Sequence, residues 1–254
     1  MSNLPTLAKG PVLLPGTFNK DAIVFIDAEV SPETGQIVDL GACRADGRFF
    51  HSSNVAAFKE FCKGADFVCG HNIVAFDMQY LRPVLGDGPQ AVDTLPLSAL
   101  LFPRKRFHNL LKDEKLLTDE LNNPLSDARK AMALFEEEVA AFNELPGVLQ
   151  RLFCAMLKNR PEFAGFFRCL NVQTPTFADP AGVIKRLMAD KLCIHADLDG
   201  LAKRQPAELA YALAFIRAAE PADVIPPWVN TNYPATQSVL NALRYTPCKK
   251  GCPY

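Results

Sequence analysis

The stretch Ala22-Ile23-Val24-Phe25-Ile26-Asp27-Ala28-Glu29 decides the fold of this chain. Residues 22–26 form an uninterrupted apolar run, which is typical of a strand buried on both faces of a sheet. Two carboxylates follow the run, and their i, i+2 spacing places Asp27 and Glu29 on one face of the strand. The sequence therefore predicts a buried strand that ends in a pair of acids.

Three more strands are predicted on the C-terminal side of this run. Residues 36–44 and 48–51 form two of them, and Asp46-Gly47 between them is a strong hairpin signal. Residues 66–70 predict the next strand, which is followed by helical segments. The first three strands therefore form a predicted antiparallel meander, and the alternation of strands and helices that follows indicates an α/β fold.

Helices are predicted around these strands. One spans residues 74–81 and is stopped by Pro83. Another begins after a strand end at residues 92–94, where Asp93 is the expected N-cap. A long amphipathic helix begins at Asn123-Pro124 and ends at residues 145–147, where a Leu-Pro-Gly sequence marks a natural boundary.

The predicted organisation has three parts. Residues 1–19 are rich in proline and glycine and predict an extended lead-in, and residues 20–146 form the α/β domain. Residues 147–254 predict an all-helical domain, because no convincing strand pattern occurs there. Within it, a segment with four prolines and the only tryptophan, residues 221–234, predicts a docked strap rather than a helix. The predicted helices of this part span residues 148–158, 181–189 and 207–219.

Composition and charge exclude several classes of protein. The chain has 254 residues, of which 49% are hydrophobic, so it is long enough to bury a core without disulfides. A net charge of −1 gives no global basic field. No apolar run of about 18 residues and no signal-peptide pattern occurs, so we expect a cytoplasmic protein that does not contact membranes. Six cysteines lie singly in apolar segments, which is typical of buried, reduced thiols: Cys43, Cys62, Cys69, Cys154, Cys169 and Cys193.

Four carboxylates stand at positions where α/β sheets place their chemistry. Asp27 and Glu29 end a strand, Asp77 follows another strand at a helix start, and Asp127 lies in the first turn of the long helix. A set of hard oxygen ligands without Cys or His suits Mg²⁺ or Mn²⁺. Two such ions, held about 3.5–4 Å apart, support phosphodiester cleavage. The sequence therefore predicts a two-ion site.

Three segments resemble the motifs of the DEDD, or DnaQ-like, 3′–5′ exonucleases. They are Asp27-Ala28-Glu29, then Gly70-His71-Asn72 through Phe76-Asp77, and finally Asn123-Pro124-Leu125-Ser126-Asp127-Ala128. The resemblance covers residues 20–144 and implies an RNase H-like fold, with a mixed sheet flanked by helices. It also implies hydrolysis of the terminal phosphodiester of DNA, with single strands as the expected substrate and RNA as an open alternative.

The resemblance assigns roles to individual residues. Asp27, Glu29 and Asp127 are expected to hold one ion, and Asp27 and Asp77 the other. Val30 stands where the family usually has a threonine near the 3′ end of the substrate. The candidates for substrate contact from these motifs are Val30, Asn72 and Phe76.

The chain departs from the family at the residue that activates water. The family's histidine or tyrosine, five or four residues before the last aspartate, is replaced here by Asn122 or Asn123. Neither amide can act as a base at neutral pH. His108, in a basic loop, is a candidate substitute base, and the ions acting alone are the other possibility.

The densest basic patch is Arg104-Lys105-Arg106, which comes just before His108. These three side chains are candidates for gripping a phosphate backbone, and an ordinary solvated loop is the alternative. At the other end, Cys248 and Cys252 form a C-x₃-C pair that could supply part of a Zn²⁺ site. Residues 225–248 are similar to the connector that follows DEDD domains fused to RecQ-like helicases.

Two functions from different classes follow. The first is a metal-dependent 3′–5′ exonuclease that releases nucleoside 5′-monophosphates and works with a helicase core in the same or an associated polypeptide, in DNA repair or defence. The second is a non-catalytic module that keeps the fold to bind nucleic acid or dock a helicase, with Asn122 marking the loss of activity. A purely helical scaffold with a zinc knuckle would leave residues 20–144 unexplained.

Overall fold

A computed structural model of the chain describes residues 18–110, 123–172, 179–188 and 191–245. It shows an α/β protein in which a five-stranded mixed sheet is flanked by helices. The expected coarse fold class is therefore confirmed. Residues 1–17 of the predicted lead-in, together with Asn122, Cys248 and Cys252, lie outside the described residues.

The sheet places three strand ends at one edge. Its strand order is β3-β2-β1-β4-β5, with β1 antiparallel to β2 and β2 antiparallel to β3. β1 pairs in parallel with β4, and β4 with β5, so the carboxyl ends of these three strands lie side by side. The strands are β1 Ile23–Val30, β2 Ile37–Cys43, β3 Phe49–His51, β4 Phe67–Gly70 and β5 Gln90–Asp93. The meander and its turn at Gly47, where φ is 89°, are confirmed.

In the described residues up to 146, four α-helices accompany the sheet, and one differs from its prediction. They are α1 Val55–Cys62, α2 Met78–Leu85, α3 Thr94–Leu101 and α4 Pro124–Glu144, and a short 3₁₀ helix, Lys20–Ala22, precedes β1. The prediction that a helix runs over residues 74–81 and stops at Pro83 is wrong. The Val74 N–H is bound by the Asp93 carboxylate, and α2 begins only at Met78. It passes through Pro83 and ends at Gly86, where φ is 73°.

The rest of the described chain is helical. No strand occurs in its described residues beyond 147, as the sequence predicts. The proline-rich strap is partly wrong, because Pro226 and Pro227 start a short helix, and proline suits that position. No described helix is long and apolar enough to cross a membrane. These helices are α5 Gly147–Leu157, α6 Pro161–Cys169, α7 Pro180–Leu187, α8 Leu198–Arg204, α9 Pro206–Ala218, α10 Pro227–Asn232 and α11 Thr236–Arg244.

One apolar core continues across the predicted boundary at residue 147. Phe135 of α4 packs against Phe25 of β1 with ring centroids 5.8 Å apart, and Phe142 packs against Phe166 of α6 at 5.3 Å. α6 lies directly on β5: a Cβ at Gly165 would overlap the carbonyl of Ala91. The helical part therefore covers the β5 edge of the sheet. The six cysteines predicted to be buried thiols are all buried.

A second close approach fixes the start of α4. A Cβ at Gly41 of β2 would overlap the backbone at Pro124 and Leu125. The side chain of Asn123 caps the helix, because its Oδ1 accepts the N–H of Ser126 at 3.1 Å. Asp127 is thus held in the first turn of a helix that lies against the middle of the sheet.

Candidate active site

Asp27 is the centre of a cluster of carboxylates. It lies half-buried on β1, and its pKa is raised to about 8, first by burial and then by repulsion from Asp77, Asp127 and Glu29. The structure therefore places Asp77, Asp127 and Glu29 within electrostatic range of Asp27.

Asp77 is the most deeply buried member of this acidic cluster, at 4% exposure. Its Oδ1 accepts the backbone N–H of Ala28 at 3.1 Å. Burial raises the pKa of Asp77 to about 7, although hydrogen bonds such as the one from Ala28 oppose the rise. Asp77 therefore connects the start of α2 to the peptide that separates Asp27 from Glu29.

Asp127 already has a cationic neighbour. The ammonium of Lys130, one turn further along α4, lies 3.2 Å from Asp127 Oδ1. Glu29 lies half-buried near the end of β1, where the pairing with β2 shifts register between Glu29 and Val30. This irregularity separates the end of β1 from the regular ladder.

The donor set suits a hard divalent cation. Four carboxylates offer only oxygen ligands, and the pKa of Asp27 is raised by burial and, to a smaller extent, by repulsion from the other three acids. A bound cation would relieve that repulsion. Across the described residues, however, no three His, Cys, Asp or Glu side chains are arranged closely enough to form a metal-binding group. The residues fit the chemistry of Mg²⁺ or Mn²⁺, and their side chains would have to converge to hold an ion.

His108, the candidate substitute base, is buried within the basic loop and only 3% exposed. Its Nδ1 lies 2.9 Å from Ser98 Oγ, and burial lowers its pKa to about 4, with a further contribution from Lys105. The ring is therefore neutral near pH 7, but it is held by Ser98 rather than by a carboxylate of the acidic cluster.

The basic loop is partly committed to contacts within the chain. Arg104 forms ion pairs of 2.9 Å with Glu220 and Asp223, which lie beyond the predicted domain boundary. The ammonium of Lys105 lies 4.3 Å from the centre of the Phe102 ring. Arg106 is exposed. Of the three candidates for phosphate contact, Arg104 is thus neutralised by the helical part of the chain.

The other candidates for substrate contact lie near the acidic cluster in sequence. Val30 ends β1 and is half-buried, and Phe76 is 46% exposed with its ring packed edge-on to Tyr80 at 5.9 Å. Asn72 has a left-handed backbone, with φ of 62°. Its turn belongs to the loop, residues 71–77, that leads from β4 to Asp77.

Sequence reasoning missed the main function of Asp93. It is the N-cap of α3 as predicted, accepting the N–H of Leu95 at 3.1 Å. The same carboxylate also accepts the N–H groups of Asn72 at 2.8 Å and Val74 at 3.0 Å. Asp93 therefore holds the loop over residues 71–77 in place. The position of Asp93 at a strand end was the only signal, and it does not reveal the two distant bonds.

Comparisons with protein-family models, curated proteins and solved structures give no match to this chain.

Proposed function

We propose that this chain is a metal-dependent 3′–5′ exonuclease with an RNase H-like fold, which hydrolyses the terminal phosphodiester of DNA and releases nucleoside 5′-monophosphates. One observation carries the proposal: Asp77 accepts the backbone N–H of Ala28, the residue between Asp27 and Glu29, where the carboxyl ends of the parallel strands lie, and Asp127 is within electrostatic range of Asp27. The mutual repulsion of carboxylates from three separate chain segments destabilises the metal-free fold, which supports a functional reason for their proximity.

Each acid has a role in this proposal. Asp27, Glu29 and Asp127 would hold one ion, and Asp27 and Asp77 the other. The ions would supply an activated water and stabilise the leaving oxygen. Asp77 is kept in place by the Ala28 N–H. Lys130 neutralises Asp127 in the absence of metal, and it would have to release that carboxylate when an ion binds.

Water activation is the weakest step of the proposed reaction. Asn123 caps α4 with its side chain, and the neutral His108 ring is bound to Ser98. Both side chains are therefore already engaged with partners outside the acidic cluster. The proposed enzyme therefore relies on the ions themselves to lower the pKa of the water, and we expect turnover to be slow and to rise with pH.

The test is a gel assay on 5′-labelled single-stranded DNA with Mg²⁺, Mn²⁺ or EDTA, with RNA of the same sequence in parallel. Asp27→Ala is compared with Asp87→Ala, a matched substitution of a side chain that is 97% exposed. We expect a ladder that shortens from the 3′ end and is abolished by EDTA and by Asp27→Ala but not by Asp87→Ala. A ladder that persists in Asp27→Ala would show that another protein or another site cleaves the DNA.

The alternative function is a non-catalytic module that binds nucleic acid or docks a helicase core. The Lys130–Asp127 ion pair and the lack of a preformed metal group in the described residues favour it. This alternative predicts an intact substrate with both ions, together with DNA or helicase binding that Asp27→Ala does not change.

A further inference from the structure

A cavity opens at the same edge of the sheet as the acidic cluster. Its volume is about 240 Å³, and it lies between the loop over residues 71–77 and the helical part of the chain. Asp93 of β5 lines the cavity, and a single strand, β4, lies between β5 and β1. The side chains that define it are Asn72, Asp93, Arg160, Glu162, Trp228 and Tyr233.

One wall of this cavity is aromatic. Trp228 is half-buried, and its ring meets that of Tyr233 edge-on at 5.9 Å. Tyr233 is itself supported from behind by Tyr211 at 4.7 Å. The wall is therefore packed from behind, and the partly exposed indole is available for a flat ring to stack on.

The charges at the cavity already compensate one another. Arg160 Nε donates to Glu162 Oε1 at 2.8 Å, and the Tyr233 hydroxyl donates to the same oxygen at 2.8 Å. The Arg160 guanidinium also lies over the Tyr233 ring, 5.5 Å from its centre. A cationic ligand would have to compete with Arg160 for Glu162, and a phosphate inside the cavity would be repelled by the carboxylates of Glu162 and Asp93. Neither kind of group therefore suits the interior of the cavity.

The geometry points to a nucleobase as the ligand of this cavity. A base combines a flat face, which Trp228 can stack on, with hydrogen-bonding edges, which the Asn72 amide and the Arg160 guanidinium can meet. The volume suits one base rather than a larger ligand. The inference rests on the proposed function for the source of the base, a DNA strand or its released mononucleotide, but the binding itself requires no cleavage.

Trp228 is the only tryptophan of the chain, so its fluorescence reports on this cavity alone. The full chain is titrated in EDTA with dAMP, with deoxyribose 5-phosphate and with inorganic phosphate. We expect saturable quenching by dAMP and none by the other two. Equal responses to all three probes, or no response to dAMP and to a single-stranded oligonucleotide, would overturn the proposal.

A cavity-filling variant tests whether the base binds in this cavity. Ala75 lines the cavity and is exposed, so Ala75→Leu fills the space without removing a core contact. The added leucine should exclude the stacked base, so we expect Ala75→Leu to weaken dAMP binding by about tenfold or more. Ala56→Leu, at an exposed position on α1, should leave dAMP binding unchanged. Unchanged dAMP affinity in a folded Ala75→Leu protein would contradict the proposal.

These experiments distinguish the two sources of the base, and they also distinguish base binding from the proposed exonuclease activity. An oligonucleotide that binds more tightly than dAMP identifies a strand site, whereas preference for dAMP identifies a product site; both support base binding. Quenching without any metal-dependent cleavage means that the exonuclease proposal fails while the base site stands. Cleavage without quenching by either probe means that the base site fails while the exonuclease proposal stands.

Discussion

The buried carboxylate of Asp77 accepts the backbone N–H of Ala28 at a distance of 3.1 Å. The bond joins the N-cap of α2 to Ala28, the residue of β1 that lies between Asp27 and Glu29. Because Asp77 is 4% exposed, no water competes effectively for the bond. The second acidic segment is thus fixed relative to the first by a backbone contact as well as by packing.

Asp77→Asn should separate the structural role of this residue from its proposed chemical role. The amide oxygen can still accept the Ala28 N–H, so we expect a folded protein whose melting temperature at pH 8 is equal to or above that of the wild type. Metal-dependent cleavage should fall by about 100-fold or more, since an ion would lose a charged ligand. Calorimetry and the gel assay check the two parts. Asp77→Ala, which also loses the hydrogen bond, should be less stable than Asp77→Asn, and equal stability would contradict the structural role.

Asp93→Ala should destabilise the fold through the loop over residues 71–77. It leaves the N–H groups of Asn72, Val74 and Leu95 without their acceptor. We expect a loss of roughly 1–3 kcal/mol in the free energy of unfolding, measured by urea denaturation. The matched control is Asp87→Ala, whose side chain is 97% exposed and should change stability very little. Equal midpoints for the two variants would contradict the role of Asp93.

Gly41→Ala should displace the start of α4. The added Cβ would overlap the backbone at Pro124 and Leu125, so α4 must move and carry Asp127 with it. We expect destabilisation of about 1–3 kcal/mol and reduced cleavage. Gly88→Ala is the control, because a Cβ there meets no atom within 4 Å. If Gly41→Ala were as active and as stable as Gly88→Ala, the close approach of β2 and α4 would be disproved.

Glu138→Gln should change how stability depends on pH. The Glu138 side chain is fully buried on α4, neither of its oxygens has a hydrogen-bond partner in the described structure, and burial raises its pKa well above 4.5. The unfolded chain ionises this group above about pH 4.5 while the folded chain keeps it protonated, so it reduces stability as pH rises. Its pH window therefore begins at the unfolded pKa and extends upward to the raised folded pKa.

Thermal unfolding between pH 4 and pH 8 tests this expectation. The melting temperatures of wild type and Glu138→Gln should be similar near pH 4, and the variant should be the more stable protein at pH 8. Glu137→Gln changes an exposed neighbour on the same helix and should follow the wild type at every pH. Parallel curves for Glu138→Gln and wild type would show that Glu138 is not held in its protonated form.

Local patterns in the sequence predict the sheet and its acidic positions well. The apolar run before Asp27 and the turn at Gly47 depend on neighbouring residues alone, and both predictions are confirmed. The start of α2 depends on a bond from Val74 to the distant Asp93. The burial of His108 similarly depends on Ser98, and the pairing of Arg104 depends on residues in another part of the chain. These features require the tertiary structure, because no spacing in the sequence encodes them.

The close approach of Gly165 to Ala91 has a consequence for shortened forms of the chain. Because α6 sits directly on Ala91, removing the helical part would uncover an edge strand with unsatisfied N–H and C=O groups, together with apolar side chains such as Phe142. Exposed edges of this kind pair with one another, so a chain shortened to residue 146 should self-associate rather than behave as an isolated nuclease unit. In this fold, the helical part protects the β5 edge of the sheet from pairing with other chains.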